Sequence, residues 1–211
     1  MNILNQYFDK IFVITCNDFI ERQNYIKEHF IKNNISFEFY ISTDKKLFVN
    51  DSLSNSERSL INSHLNCVKT ANIRGYNRIL ICEDDVNFID NLEGLFKDFI
   101  NIVPNDWYYL QLGNQFWAKH WLRRRFVTQN LYKFEWGTGS HCIAINSSAY
   151  EMSIKRMEFF DTAVDRIYYD LFQKNGCYCP DQFLADALSK NDHLGYHDPK
   201  FIFNSTILHK K

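Results

Sequence analysis

Glycine and proline are both scarce in this 211-residue chain, which contains 7 glycines and 3 prolines. Average proteins contain roughly 7% glycine and 5% proline. The sequence has no glycine-rich loop of the kind that cradles phosphates in dinucleotide-binding or P-loop proteins. We therefore expect any charged ligand to be held by other local groups.

Excess charge and long apolar runs are also lacking. The net charge is −1, from 24 Lys and Arg against 25 Asp and Glu. This balance does not favour bulk binding to nucleic acid or to an anionic membrane. No apolar run reaches the ~20 residues of a membrane span, and the first residues lack the basic and apolar segments of a signal peptide. We expect no nucleic-acid partner and no transmembrane segment.

The six cysteines do not form a metal-binding or disulfide pattern. Cys16 and Cys82 lie in apolar runs, where a free cysteine behaves as a small hydrophobic residue. Cys177 and Cys179 have no second pair at the spacing of zinc ligands. The pattern predicts reduced thiols and a cytoplasmic location.

Strand-like and helix-like segments alternate through the first half of the chain. Apolar runs predict strands at 10–15, 37–41, 78–82 and 107–112, and amphipathic segments between them predict helices. Ser54 and Glu57 form a possible capping box, and Gly75 is placed to end the same helix. In the less regular second half we predict a strand at 141–145 and helices at 147–157 and 180–190. The pattern indicates one α/β domain with a mostly parallel central sheet and helices on both faces.

Three carboxylates, Glu83, Asp84 and Asp85, directly follow the third predicted strand. Ligands of open α/β sheets bind beyond the carboxyl ends of the strands. Adjacent carboxylates repel one another unless a cation neutralises them, and their oxygens suit Mg²⁺ or Mn²⁺. The alternative is a solvated acidic turn. Because a cation with few protein ligands completes its shell with water and phosphate oxygens, the run favours a diphosphate ligand such as a nucleotide-sugar.

Six short blocks, in the same order, resemble glycosyltransferase family 25, the family of lipooligosaccharide and collagen galactosyltransferases. In the second block, Ser59 and Leu60 replace the family's Gly-Cys pair. This difference affects the expectations about the acceptor side more than those about the metal side. The blocks are Phe12-Val13-Ile14-Thr15-Cys16-Asn17 with Glu21-Arg22, Glu57 with Ser63-His64-Leu65, Ile79 to Val86, Gly137 to His141 with Ala144-Ile145, Pro180 to Leu184, and Ser205-Thr206-Ile207.

The resemblance implies a GT-A type fold in a single domain, residues 1–211. Residues 1–112 would form the nucleotide-sugar and metal half, and residues 113–211 the acceptor half. The implied reaction is an inverting, metal-dependent transfer of a hexose, galactose or glucose, from a UDP-sugar to a hydroxyl of a glycan or protein. The implied cofactor is Mn²⁺ or Mg²⁺.

The resemblance also assigns residues to roles. Asp85 is the first metal ligand, Glu83 assists, and His197 or His209 is a possible ligand from the C-terminal part. The residues expected to bind the nucleotide-sugar are Thr15, Cys16, Arg22, Thr43, Asp44 and Asp84.

The candidate catalytic base is Asp181, which follows Pro180 at the start of a predicted helix, where backbone N–H groups favour an ionised carboxylate. Ordinary helix capping is the alternative reading of Asp181. Asp165 and Glu135 are weaker candidates for the base. His64 is expected to be a core histidine, with a role in the site left open.

Aromatic and basic residues in the second half suggest an acceptor surface. Arg123-Arg124-Arg125, with Trp117 and Trp121 upstream, would dock an acidic or sugar acceptor by charge and stacking, although a charge run is more often a solvated face. Trp136 is a possible lining residue of the sugar pocket or a core residue. Two other function classes stay open: a non-catalytic carbohydrate-binding or assembly protein of the same fold, and a metal-dependent phosphohydrolase or nuclease.

Overall fold

A computed structural model of the chain describes residues 2–48, 53–115, 122–137, 139–190 and 203–204. Short 3-10 turns occur at Lys45–Leu47 and Ser147–Ala149. The helices in the described residues are α1 Ile3–Tyr7, α2 Ile20–Lys32, α3 Asn55–Arg74, α4 Leu92–Ile100, α5 Tyr150–Met157 and α6 Val164–Asn175.

The strands in the described residues are β1 Lys10–Thr15, β2 Glu38–Ile41, β3 Arg78–Glu83, β4 Val86–Phe88, β5 Tyr109–Gln111, β6 Arg123–Thr128, β7 Leu131–Trp136, β8 Cys142–Asn146, β9 Cys177–Cys179, β10 Ala185–Ala187, β11 Ser189–Lys190 and β12 Phe203–Asn204. Eight of them form a central sheet with the strand order β2-β1-β3-β8-β5-β9-β7-β6. Strands β8 and β7 run in one direction, and the other six run in the opposite direction. Two small two-stranded sheets pair β4 with β10 and β11 with β12.

Side chains that alternate along the central strands supply two hydrophobic cores, one on each face of the sheet. Ile14 and Ile81 belong to the core under α3, α5 and α6. Val13 and Cys82 belong to the core under α1, α2 and α4. Successive side chains of a strand point to opposite faces, so a continuous apolar run serves both cores. The predicted α/β architecture, a mostly parallel sheet with helices on both faces, is confirmed.

Helix α3 begins and ends as its sequence predicts. The Ser54 side chain accepts a hydrogen bond from the Glu57 backbone N–H, and Glu57 accepts one from the Ser54 backbone, which completes a capping box. Gly75 ends the helix with a φ of 70°, a left-handed conformation that costs glycine little.

The helix predicted at 180–190 is wrong. These residues form a loop and then β10, which pairs with β4 through Ala185 and Phe88. The backbone N–H groups of Leu184 and Ala185 both donate to Leu112 O. Long-range pairing therefore satisfies the backbone groups that a helix would have satisfied locally. The antiparallel position of β8 between β3 and β5 and the β6–β7 hairpin also lay outside the prediction.

None of the helices in the described ranges combines the length and the apolar character that crossing a bilayer requires.

The capping box gives a direct test of how α3 is stabilised. Ser54→Ala removes the side-chain acceptor at the helix start, so we expect the free energy of unfolding to fall by about 1 kcal/mol. Urea denaturation measures the change. The matched control is Ser36→Ala, because Ser36 is exposed and its described hydrogen bonds come from its backbone. Equal stability of the two variants would contradict the capping role.

Candidate functional site

The carboxyl ends of three parallel strands meet at one edge of the sheet. β1 lies between β2 and β3, and the Ser42 backbone N–H donates to Thr15 O at 2.8 Å. Ile14 lies opposite Glu83 in the β1–β3 register. The ends of β1, β2 and β3 therefore bring Thr15, Ser42 and the acidic run together, at the place where open α/β sheets bind ligands.

The acidic run is divided between the two faces of the sheet. Glu83 continues the alternation of β3 and contacts His64 of α3. Asp84 points to the opposite side, where it contacts Arg22 of α2. This division separates two of the three like charges and gives each its own counter-group, which reduces their mutual repulsion.

Asp84 forms a buried ion pair. Its Oδ1 accepts a hydrogen bond from Arg22 Nη1 at 2.8 Å, and its Oδ2 accepts one from Thr15 Oγ1 at 2.6 Å. Asp84 is 5% exposed and Arg22 is 8% exposed. Burial raises the pKa of Asp84 to about 6, because desolvation and the neighbouring Asp85 outweigh Arg22 and Thr15. Asp84 is therefore ionised at neutral pH and becomes neutral in mildly acidic solution.

Asp85 is also buried, beside α2 and the small β4–β10 sheet. Its backbone carbonyl accepts a hydrogen bond from Leu188 N at 2.9 Å, next to the paired strands β4 and β10. Burial raises the pKa of Tyr25, and the charge of Asp85 raises it further, so Asp85 lies close to this phenol. The Tyr25 hydroxyl donates to Asn87 Oδ1 at 3.0 Å.

Glu83 is held ionised on the other face. Ser140 Oγ donates to its Oε1 at 2.5 Å, and His64 Nε2 lies 3.8 Å from the same oxygen. Burial alone would raise the pKa of Glu83, but His64 and Ser140 outweigh it and lower that pKa. His64 is fully buried, with its Nδ1 3.0 Å from the Tyr168 hydroxyl. It is a core histidine, as expected, and it also touches the acidic run.

His141 is a site residue that the sequence analysis missed as an individual. It is 2% exposed, its carbonyl accepts a hydrogen bond from Glu83 N at 3.1 Å, and it contributes to lowering the Glu83 pKa after His64 and Ser140. Neither ring nitrogen of His141 has a hydrogen-bond partner among the described residues.

Glycines make room for the His141 ring. A Cβ at Gly113 would lie 2.5 Å from His141 Nε2, and one at Gly139 would lie 2.8 Å from Nδ1. Gln111 Nε2 donates to the carbonyls of both glycines, at 2.5 and 3.0 Å. In a chain with only 7 glycines, their recurrence around this ring is the signal that could have identified the residue.

The predicted nucleotide-binding residues share this edge of the sheet but differ in their contacts. Thr15 and Arg22 bind Asp84 directly. Thr43 Oγ1 accepts a hydrogen bond from Asn62, and Asp44 caps the 3-10 turn by accepting from Lys46 N at 2.9 Å. Cys16 is half-buried, and burial raises the pKa of its thiol.

The sequence matches one known protein family over most of its length. The family model described as Glycosyltransferase family 25 (LPS biosynthesis protein) matches residues 8–157. The chain belongs to glycosyltransferase family 25. The matched segment includes β1, Arg22, the acidic run, Ser140 and His141, which are the parts that build the site. No curated protein matches the chain significantly.

Several solved structures are similar to this family 25 chain at low sequence identity. A197 from STIV is 14% identical with a TM-score of 0.49, covering 80% of this chain and 79% of that one. A glycosyltransferase involved in the glycosylation of the major capsid of PBCV-1 is 9% identical with a TM-score of 0.48, covering 79% and 78%. The nucleoside-diphosphate-sugar pyrophosphorylase from Vibrio cholerae RC9 is 14% identical with a TM-score of 0.42, covering 83% and 75%.

The three candidate bases of this family 25 chain have different surroundings. Asp181 is exposed, lies in the loop before β10 rather than at a helix start, and pairs with Arg124 at 3.5 Å. Glu135 of β7 pairs with Arg125 at 3.3 Å. Asp165 lies in the first turn of α6, where burial raises its pKa and the charge of Glu83 raises it further. Of these three, Asp165 is the carboxylate whose pKa Glu83 affects.

The described residues can bind a divalent ion only together with oxygen atoms from a bound ligand and water. No group of three His, Cys, Asp or Glu in the described ranges could hold a metal ion by itself, and His197 and His209 lie outside those ranges. Both oxygens of Asp84 already accept hydrogen bonds. Glu83 points to the opposite face of the sheet from Asp84, so we do not include Glu83 with Asp85 among the proposed ligands of the ion. Asp85 with phosphate oxygens and water is the set that fits Mg²⁺ or Mn²⁺.

The Arg22–Asp84 pair predicts a pH-dependent loss of stability in Arg22→Met. Removing the cation leaves a buried carboxylate unpaired, so we expect about 3 kcal/mol of destabilisation at pH 8. The pKa of Asp84, already about 6, should rise further. Asp84 in the folded variant then takes up a proton as the pH falls, so the loss relative to wild type should be smaller at pH 5.

Urea denaturation at pH 5 and pH 8 measures both values. Arg74→Met is the control, because it removes an exposed arginine that pairs with Glu38 at 3.2 Å. We expect the control to change stability by less than about 1 kcal/mol. An Arg22→Met defect of the same size at both pH values would refute the electrostatic role of the pair.

Proposed function

We propose that this family 25 protein transfers a hexose, either galactose or glucose, from a UDP-sugar to a hydroxyl group of a glycan or protein. The transfer would invert the configuration at the anomeric carbon and would require Mn²⁺ or Mg²⁺. The observation that carries the proposal is the buried acidic turn at the carboxyl edge of the sheet. Arg22 and Thr15 hold Asp84 there, directly beside Asp85. Membership of the family supplies the reaction class.

On the donor side, the ion pair acts as a positioning device. Arg22 and Thr15 restrain Asp84, and the Leu188 N–H restrains the Asp85 backbone, so the Asp85 carboxylate is held in place. Asp85 would hold the divalent ion, which when bound supplies Lewis-acid stabilisation of the departing diphosphate. Cys16, Thr43 and Asp44, at the ends of β1 and β2, would contact the nucleoside.

On the acceptor side, inversion requires a base that takes the proton of the attacking hydroxyl. We assign this role to Asp165, in the first turn of α6, because burial and then the charge of Glu83 raise its pKa, which makes it a better proton acceptor than an ordinary aspartate. Asp181 is the alternative, as the sequence suggested. Its carboxylate is exposed and lies 3.5 Å from Arg124 Nη2.

We propose that the protein acts in the cytoplasm. All six cysteines are free thiols. Two of them, Cys82 and Cys142, lie directly opposite each other across β3 and β8. A reducing compartment suits such a pair of neighbouring thiols.

Donor binding tests the reaction class. A thermal-shift panel of UDP-sugars with and without Mn²⁺ should show an increase in Tm for at least one UDP-hexose that depends on the metal. Asp85→Asn should abolish that metal-dependent increase and UDP release while leaving the ligand-free Tm within a few degrees. Asp98→Asn, a change of the same kind at an exposed position of α4, is the control. Stabilisation by no UDP-sugar at all would favour the carbohydrate-binding alternative.

Paired aspartate variants test the assignment of the base. Asp165→Asn should lower kcat by about a hundred-fold or more with little change in donor KM, since loss of a general base slows the chemical step. Asp181→Asn should change kcat only about two-fold, since its effect is limited to an exposed ion pair. Steady-state kinetics of UDP release measures both. The opposite ranking would return the role to Asp181.

A further inference from the structure

A groove of about 1140 Å³ lies between the β6–β7 hairpin and α6, outside the residues assigned to the donor. Sites for small molecules are typically about 300–1,000 Å³, so this groove is large enough for a ligand of several rings. The residues that carry the argument are Arg123, Arg125, Lys133, Trp136, Arg166 and Tyr169.

Positive charge dominates the lining. Five cationic residues and one carboxylate, Glu135, line the groove. Glu135 is paired with Arg125 at 3.3 Å, so most of the positive charge is left for a ligand. The whole chain carries a net charge of −1, so this concentration of cations is local. A concave surface lined by one sign of charge attracts a ligand of the opposite sign.

Two aromatic rings give the groove an apolar surface. The Trp136 and Tyr169 rings meet edge to face, with centroids 4.0 Å apart. Both residues are half-buried, so part of each ring remains accessible. An aromatic surface offers an apolar ring face beside polar tips, which suits a ligand with both apolar and polar sides, such as a sugar ring.

Two residues that line the groove are close in the chain to residues linked to Glu83. Arg166 follows Asp165 directly in α6, and Glu83 affects the pKa of Asp165. Trp136 ends β7, four residues before Ser140, whose hydroxyl donates to Glu83. An acceptor lying in the groove would therefore be placed beside the start of α6, which carries Asp165, the proposed base.

We propose that this groove binds the acceptor, and that the acceptor is an acidic oligosaccharide whose carboxylates pair with the groove arginines. The proposal rests on the transferase function proposed above and names its acceptor class. A guanidinium group can donate two parallel hydrogen bonds to one carboxylate, and a neutral sugar has no carboxylate to accept them. Phe126 and Val127 are exposed near the tip of the hairpin. A membrane surface is therefore the competing occupant, but the concave, ring-lined shape favours a glycan.

Direct binding to the full chain, without any donor, tests the groove. Trigalacturonic acid is the probe, and maltotriose is the neutral trisaccharide of similar size. Isothermal titration should show binding of trigalacturonic acid that weakens with added salt, and much weaker binding of maltotriose. Arg123→Gln/Arg166→Gln should weaken the trigalacturonic acid affinity about ten-fold or more. The control is Lys32→Gln/Lys97→Gln, which removes two exposed cations from α2 and α4 and should leave the affinity unchanged.

Several results would overturn the proposal. One is that Arg123→Gln/Arg166→Gln binds trigalacturonic acid as tightly as the wild type. Another is that the wild type binds maltotriose as tightly as trigalacturonic acid. A third is that the wild type binds phosphatidylglycerol vesicles but not trigalacturonic acid. A metal-dependent Tm increase with a UDP-sugar but no trigalacturonic acid binding would remove the groove assignment alone. Trigalacturonic acid binding lost in the double variant, with no response to any UDP-sugar, would support the groove and refute the transferase.

Discussion

The buried ion pair between Arg22 and Asp84 is the interaction on which the rest of the site depends. An unpaired carboxylate at this depth would cost several kcal/mol, so α2, β1 and β3 are held in a geometry that keeps the arginine and Thr15 in contact with it. Asp85 is the next residue in the chain, so the same contacts also fix the position of its backbone. A network that spans a helix and two strands therefore orients the turn at Asp84 and Asp85.

The alternation of side chains along β3 explains how three adjacent acids coexist. Glu83 joins His64 and Ser140 under α3 and α6, while Asp84 joins Arg22 under α2. Glu83 and Asp84 therefore have separate environments, and the pKa of Glu83 falls while burial and the neighbouring Asp85 raise that of Asp84. The same sequence of three carboxylates in a flexible loop would have no such division. Strand geometry converts a repulsive cluster into two separately tuned groups.

Local signals predicted the elements that depend on local physics. The apolar run of β1 and the capping box of α3 were found at their observed positions, because each depends on neighbouring residues. The helix expected at 180–190 was wrong, because the strand there is stabilised by pairing with β4, almost a hundred residues earlier. The acidic run was found from its position after β3. His141 was missed as an individual because the space for its ring depends partly on Gly113, a residue distant in the chain, as well as on the neighbouring Gly139.

The sheet separates the two halves of the proposed reaction along the chain. The proposed donor edge is made by β1, β2 and β3, whereas the cationic groove, the proposed acceptor site, is made by β6, β7 and α6. The β6–β7 hairpin lies at the far end of the sheet from β2, with four strands between β7 and β1. Substitutions in the hairpin would therefore leave the proposed donor edge undisturbed. On the proposed assignment, exchanging the hairpin between relatives would change the acceptor while leaving donor binding unchanged.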